Sequence, residues 1–502
     1  MTTLMIRAAR LVPIGPTASA PREPVDVLVE DGRVTAVVGR LDPRPGVEEI
    51  AADGRWLAPG LWDQHVHLGQ WTLASQRLDL APARSPEDVL ALLRERLLTL
   101  PGVPVIGWGH RPGTWTRDVT VSELDAVTTD VPVVLIAGDG HHAWLNTPAL
   151  LHLALPVRDS VVRETEWFAV YPRLAGLVGN DGTSPEAFRR TLEAAAARGV
   201  VGLVDFEFGG SRADWAERWG EGCDLLRVRW ATYADTLEET LEAGLRTGDT
   251  LPGCDERATM GPLKIISDGS LNTRTAWCCE PYADAHRLEY PAGQANLSGE
   301  ELRGLLARAH AGGLEVATHA IGDAAVAEAL AAYAATGAAG SIEHAQLVGR
   351  EDVRRMARLG VRASVQPAHL LDDRDLTEAV WPGRAERSFA FRWMLDDGVE
   401  LALGSDAPVS ALDPWLAIAA AVHRSADDRD PWHDEQALTP AEALAASVDG
   451  QPTVGVGSPG DLVLLDADPL AGHEDSAATG HALRHTEVAL TVVAGRVVHS
   501  AL

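Results

Sequence analysis

The chain has 502 residues, with 43 basic side chains against 72 acidic ones and a formal charge of −29. So acidic a surface repels nucleic-acid phosphates and anionic lipid headgroups, which excludes both as expected partners. The 46% hydrophobic content suits a folded globular protein rather than a disordered one. Forty-two of the basic residues are Arg, and one, Lys264, is Lys. Cys223, Cys254, Cys278 and Cys279 form no CxxC pair or zinc-finger spacing, so reduced thiols are expected. The N-terminal stretch lacks a basic segment followed by an apolar one, and no apolar run approaches the ~20 residues that span a bilayer. The expectation is a soluble, cytoplasmic protein.

In chain order, residues 25–30 and 33–38 read as a hairpin turning at Asp31-Gly32. Residues 461–466 read as a strand, and 488–493 with 496–499 as a second hairpin. Each end is too small for its own core, so the two are expected to share one small sheet domain. The middle alternates helix, Gly stop and short apolar strand. Ser184-Pro185 opens one helix and Gly199 ends it. Ser298 and Glu301 form a capping box for another, ended at Gly312-Gly313. Helices over 351–359 and 386–397 end at Gly360 and Gly398 in the same way. Strands without polar alternation between helices imply a parallel sheet covered on both faces.

Eight such strands, at 61–67, 200–205, 226–232, 263–267, 314–318, 341–344, 361–366 and 400–404, are the number that closes a (β/α)8 barrel. An open doubly wound sheet is the alternative. The predicted organisation is α/β: a small β-sandwich from 1–58 and 450–502 and a barrel over 59–449. Residues 70–183, with strands at 103–108 and 131–137, are expected as an insertion over the barrel's active-site face.

The first barrel strand carries Asp63, His65 and His67 at alternate positions, hence on one face. Two imidazoles at i, i+2 can share a metal ion, though an isolated pair could be two surface histidines. Further polar residues stand where other apolar strands stop: Lys264, His319, His344 and Asp406. Four imidazoles, a carboxylate and a Lys suit Zn²⁺ or a similar divalent ion. An ammonium is no ligand, but a Lys amine that has added CO₂ is an anionic carbamate able to bridge two metals. Arg cannot form one, because its guanidinium stays protonated. A salt-bridged Lys, a substrate-binding ammonium and a leftover codon are the other readings of Lys264.

The ordered series PGLWDQHVHL, DGHHAWLN, LKIISDGSLNTRTA, THAIGDAAV, IEHAQ, SVQPAH and LGSDAPV resembles the amidohydrolase superfamily. It resembles in particular the YtcJ-like branch, which includes N-substituted formamide deformylases. The resemblance implies a (β/α)8 barrel with a β-sandwich built from both termini. It implies His65 and His67 with Asp406 on one metal, and His319 with His344 on a second. Lys264 would bridge as a carboxylated lysine, two Zn²⁺ would be bound, and Asp406 would be the general base. His142, Asn272 and Thr273 depart from the branch pattern, and the linker 451–459 looks shortened; these leave the substrate open.

A metal lowers the pKa of bound water to about 7, and Asp406 could pass the remaining proton to a leaving amine. His141 and Arg274, in loops matched to the branch, and Gln366 and His369 after the seventh strand are candidate substrate contacts; structural roles are the alternative for all four. Trp108, Trp115, Trp144 and Trp167 either line a pocket for a bulky apolar substituent or pack the insertion. The predicted activity is metal-dependent hydrolysis of a linear amide, N-acyl or N-formyl amine. The alternatives are a deaminase on the same scaffold and a non-catalytic binding protein. Serine-hydrolase chemistry has no GxSxG elbow to support it. A small-molecule amide is the expected partner, and the resemblance suggests a homodimer.

Overall fold

The computed structural model describes residues 3–502 except 16, 81, 111–114, 116, 138–141, 171–172, 179–182 and 426–428. The chain forms two compact units, 69–191 and the remainder.

The larger unit holds the barrel. Its strands, among the described residues, are Leu61–Val66, Val200–Asp205, Arg227–Thr232, Ala258–Ile266, Val316–Ala320, Gly340–His344, Arg362–Val365 and Leu401–Leu403. Each pairs in parallel with the next. A parallel bridge from Val66 to Ala407 brings the last strand back to the first. All eight predicted strands are present. The first, second and sixth are buried at every position, as strands covered on both faces must be.

Helix ends follow the local chemistry. Ser298 and Glu301 cap the helix Gly299–Gly312, and Gly313, at φ 80°, turns the chain out of it. The helix expected over 386–397 is shorter, Phe391–Asp396. Phe389 sits at φ 52°, a left-handed conformation that a helix does not contain, and it separates a short turn at Ala385–Arg387 from the helix proper.

Strands from both chain ends form one further sheet, in the order 496–500, 488–493, 462–465, 56–59, 3–11, 25–30, 33–38, with 48–51 also on 3–11. Leu4, Ile6, Val27, Leu464, Leu490 and Val492 share its apolar core. Arg227 on the third barrel strand meets Asp461 of this sheet at 2.6 Å.

The smaller unit has a five-stranded sheet and its own core. Trp144 and Trp167 are fully buried there, and Trp108 and Trp115 pack against the same clusters. The four Trp therefore serve this unit's packing. No helix among the described residues is long and apolar enough to cross a membrane.

Close approach of the eighth strand to the first needs Gly404. A Cβ there would lie 2.7 Å from His65 N and 2.8 Å from His65 Cβ. Gly404→Ala is expected to lower the melting temperature, at a cost of about 1–3 kcal/mol, and to weaken divalent-metal binding. A variant that melts with the wild type would show that the two strands can part without loss.

Candidate metal centre

Asp63 is buried, and its Oδ1 accepts the backbone N–H groups of His65 at 3.1 Å and Ser405 at 2.9 Å. Asp406 N donates to His65 O at 2.7 Å, and His67 N to Ala407 O at 2.9 Å. These bonds lay the end of the eighth strand along the first. Asp406 Oδ1 then stands 3.4 Å from both His65 Nε2 and His67 Nε2. The donor atoms of His65, His67 and Asp406 all lie within 4.8 Å of one another, as do those of His344, His369 and Asp406. Asp406 belongs to both groups. His344 and Asp406 have φ of 71° and 55°, unusual for residues with side chains.

Lys264 Nζ is 3.1 Å from His65 Nε2 and lies over the Phe206 ring at 4.2 Å. His344 rings contact His65 at 5.0 Å and His319 at 4.5 Å. His65, His67, Lys264, His319, His344 and Asp406 are thus gathered at one end of the barrel. His319 is outside both donor groups: its Nε2 is 3.1 Å from Gly269 O and 3.3 Å from Asp268 Oδ1. His369, expected against substrate, belongs to the second group, 3.9 Å from Asp406 Oδ2. A short turn, Pro367–His369, carries it back toward the strand ends.

The electrostatics suit a cation. Burial, then the Lys264 charge, push the His65 imidazole down to about 4, so it is neutral at pH 7. Burial and the neighbouring His319 push His344 down as well. Burial works to raise Asp406, but the neighbouring His65 imidazole and the His67 hydrogen bond outweigh it and hold the carboxyl well below its usual range. Burial lowers the Lys264 ammonium to about 8. His67 Nδ1, His344 Nδ1 and His369 Nε2 are buried without a hydrogen-bond partner. Neutral imidazoles, an ionised carboxylate and unpaired buried nitrogens fit a divalent ion.

The predicted substrate contacts fare differently. Gln366 donates to Ser364 O at 3.2 Å, leaving its buried Oε1 unpaired. Arg274 is engaged by its own loop, through Asp284 at 3.3 Å and Asn272 O at 2.9 Å. Asn272 itself donates to Asp373, which also accepts from Gln346. His141 lies outside the described residues. His142 packs 5.6 Å from His110 inside the smaller unit.

Glu343 was missed from sequence. Its Oε2 is 2.7 Å from His65 Nδ1, both side chains are almost wholly buried, and Ser341 Oγ donates to its Oε1 at 2.5 Å. Strand alternation places Glu343 and His344 on opposite faces; the left-handed turn at His344 breaks it and lets both reach the centre. Burial raises the Glu343 carboxyl, but the His65 hydrogen bond and the nearby His65 and Lys264 more than offset this and hold it at about 2. Phe208, half exposed, stacks on His67 at 4.8 Å.

A closed parallel barrel with a His-and-Asp cluster at its strand ends defines a metal-dependent hydrolase of the barrel type. Residues 48–499 match the Amidohydrolase family, and the chain belongs to that family. It is 26% identical to the putative amidohydrolase YtcJ of Bacillus subtilis, over 94% of this chain and 95% of that one. It is 24% identical to the N-substituted formamide deformylase of Arthrobacter pascens, over 93% and 94%. These matches support the YtcJ-like branch. In fold it is similar to an uncharacterized metal-dependent hydrolase from Pyrococcus furiosus, with a TM-score of 0.73, 24% identity, and coverage of 93% and 100%.

Burial pushes Asp63 up to about 6 from 3.8. The folded chain therefore holds a proton that the unfolded chain releases between these values, and stability falls as pH rises through that window. Asp63→Asn keeps the acceptor without the charge. In metal-free protein it is expected to gain on the order of 2 kcal/mol relative to wild type at pH 7.5, with the gap closing by pH 4. Thermal melts at both pH values measure this; a less stable variant at pH 7.5 contradicts it.

Proposed function

We propose that this chain hydrolyses the C–N bond of a linear amide, an N-acyl or N-formyl amine, at the His65–His67–Asp406 centre. The observation that carries the proposal is Asp406, one ionised carboxylate shared by two donor groups. His65, His67 and Asp406 would hold one ion, and His319 and His344, with His369 within reach, a second; such ions supply Lewis acidity to a carbonyl and acidify water. His65 and His344, kept neutral by burial, each have a lone pair available to bind a cation. Asp406 can accept a proton at its carboxylate and return it to the leaving amine. Likeness to an N-substituted formamide deformylase supports a formyl or acyl amine as substrate.

Lys264 has a part that Arg could not take. With its ammonium lowered to about 8, a fraction of the amine is neutral at working pH. That amine can add CO₂, forming an N–C bond and losing a proton to solvent. The resulting carbamate would offer anionic oxygens that join His65 in holding a divalent ion such as Zn²⁺.

Metal analysis is expected to give two ions per chain, with ¹³C-labelled bicarbonate producing a carbamate signal lost in Lys264→Ala. Lys264→Arg should fold and lose at least a hundredfold in kcat/KM, and short carboxylic acids should restore part of the activity of Lys264→Ala. One ion per chain with unmodified Lys264 would favour the deaminase reading, and full activity in Lys264→Arg would end the carbamate reading.

Phe208 gives the mouth an apolar wall beside His67. Phe208→Ala is expected to raise KM about tenfold for amides with aryl or alkyl substituents, since full burial of such a side chain is worth roughly 1.5–3 kcal/mol. Equal effects on apolar and charged amides would remove Phe208 from substrate recognition.

A further inference from the structure

We propose that Glu343 is a positioning residue that fixes the tautomer of His65, so that its Nε2 lone pair faces the centre before any ion arrives. The inference rests on the reading of His65 as a metal ligand. A neutral imidazole carries one N–H, and the groups at its two nitrogens decide where. The Glu343 carboxylate oxygen Oε2 stands 2.7 Å from Nδ1, placed to accept from it. The proton therefore belongs on Nδ1. At the other nitrogen, Lys264 Nζ stands 3.1 Å away with N–H groups to donate, which also calls for a lone pair on Nε2. Two contacts on opposite sides of the ring give the same tautomer.

The carboxylate is itself held. Ser341, two residues earlier on the same strand and so on the same face, donates to the oxygen that His65 does not use. On its other side Glu343 borders a cavity of about 350 Å³, lined also by Gln64, Ser341, Ser364, Arg229 and Asp449. Ser364 Oγ is buried there without a partner. Polar walls of this kind have room for water and let a carboxylate keep its charge inside the barrel. His67, the other imidazole of the strand, has no such support, because its Nδ1 is buried and unpaired. Of the two, only His65 has a carboxylate behind its ring at Nδ1.

Three chains are compared: wild type, Glu343→Leu, which removes the acceptor at similar volume, and Glu343→Gln, which keeps a neutral acceptor if the Ser341 hydroxyl turns. Zn²⁺ affinity of the metal-stripped chains is read by competition with a chromophoric chelator. Glu343→Leu is expected to bind 10–100-fold more weakly, the scale seen when carboxylates behind metal-ligating histidines are removed, and Glu343→Gln to fall between it and wild type. In ¹⁵N-histidine spectra of the metal-free protein, the signal absent in His65→Gln should report Nδ1–H in wild type and shift toward Nε2–H in Glu343→Leu. A merely structural role for Glu343 would not move that tautomer. Unchanged Zn²⁺ affinity in Glu343→Leu, or an unchanged tautomer, overturns the proposal. A wild type that binds no Zn²⁺ at all overturns instead the metal centre on which it rests.

Discussion

The Asp63 carboxylate accepts backbone N–H groups from two strands that lie at opposite ends of the barrel sequence, at His65 and at Ser405. Closing a barrel requires the last strand to find the first in one register, since a one-residue slip would turn every side chain to the other face. Asp63 selects that register, and Gly404 permits the approach. Asp406 stands one residue beyond the clamp, so its distances to His65 and His67 follow from it. The carboxylate that would move a proton is thus placed by backbone pairing rather than by the flexibility of its own side chain.

Much of this was legible in the sequence because barrel strands are buried on both faces. Short apolar runs after Gly stops gave all eight strands, and polar residues at their ends gave most of the centre. What stayed hidden depended on the backbone leaving regular geometry. Glu343 lies next to a predicted ligand, and strand alternation puts the two on opposite faces; the left-handed φ of His344 lets that imidazole reach the same centre. His369 follows a strand by several residues and needs the turn at Pro367–His369 to return. The helix over 386–397 is cut by a left-handed Phe389, which no propensity announces. The insertion Trp residues fit either a pocket or a core by composition, and full burial decides for the core at Trp144 and Trp167.

The near-replacement of Lys by Arg has a structural side. Arg257 bridges Asp224 and Asp255, Arg496 shares Asp224, and Arg229 pairs with Asp449 while lying over Trp62. A planar fork that meets two partners, or a carboxylate and a ring together, does work for which an ammonium is poorly shaped. Inside the barrel the requirement reverses. Lys264 places a compact amine between His65 and Phe206, and burial makes that amine able to lose its charge.

The sheet built from both termini bears on how the chain is made. Residues 56–59 run directly into the first barrel strand, and their neighbour in the sheet is 462–465. About four hundred residues separate the two. At roughly 5–20 residues per second, a ribosome leaves that strand edge without its native neighbour for something like 20–80 s. The first barrel strand waits in the same way for the eighth. Neither seam can close until its later strand, 401–403 or 462–465, has left the ribosome, so an emerging chain carries two open β-edges for most of its translation.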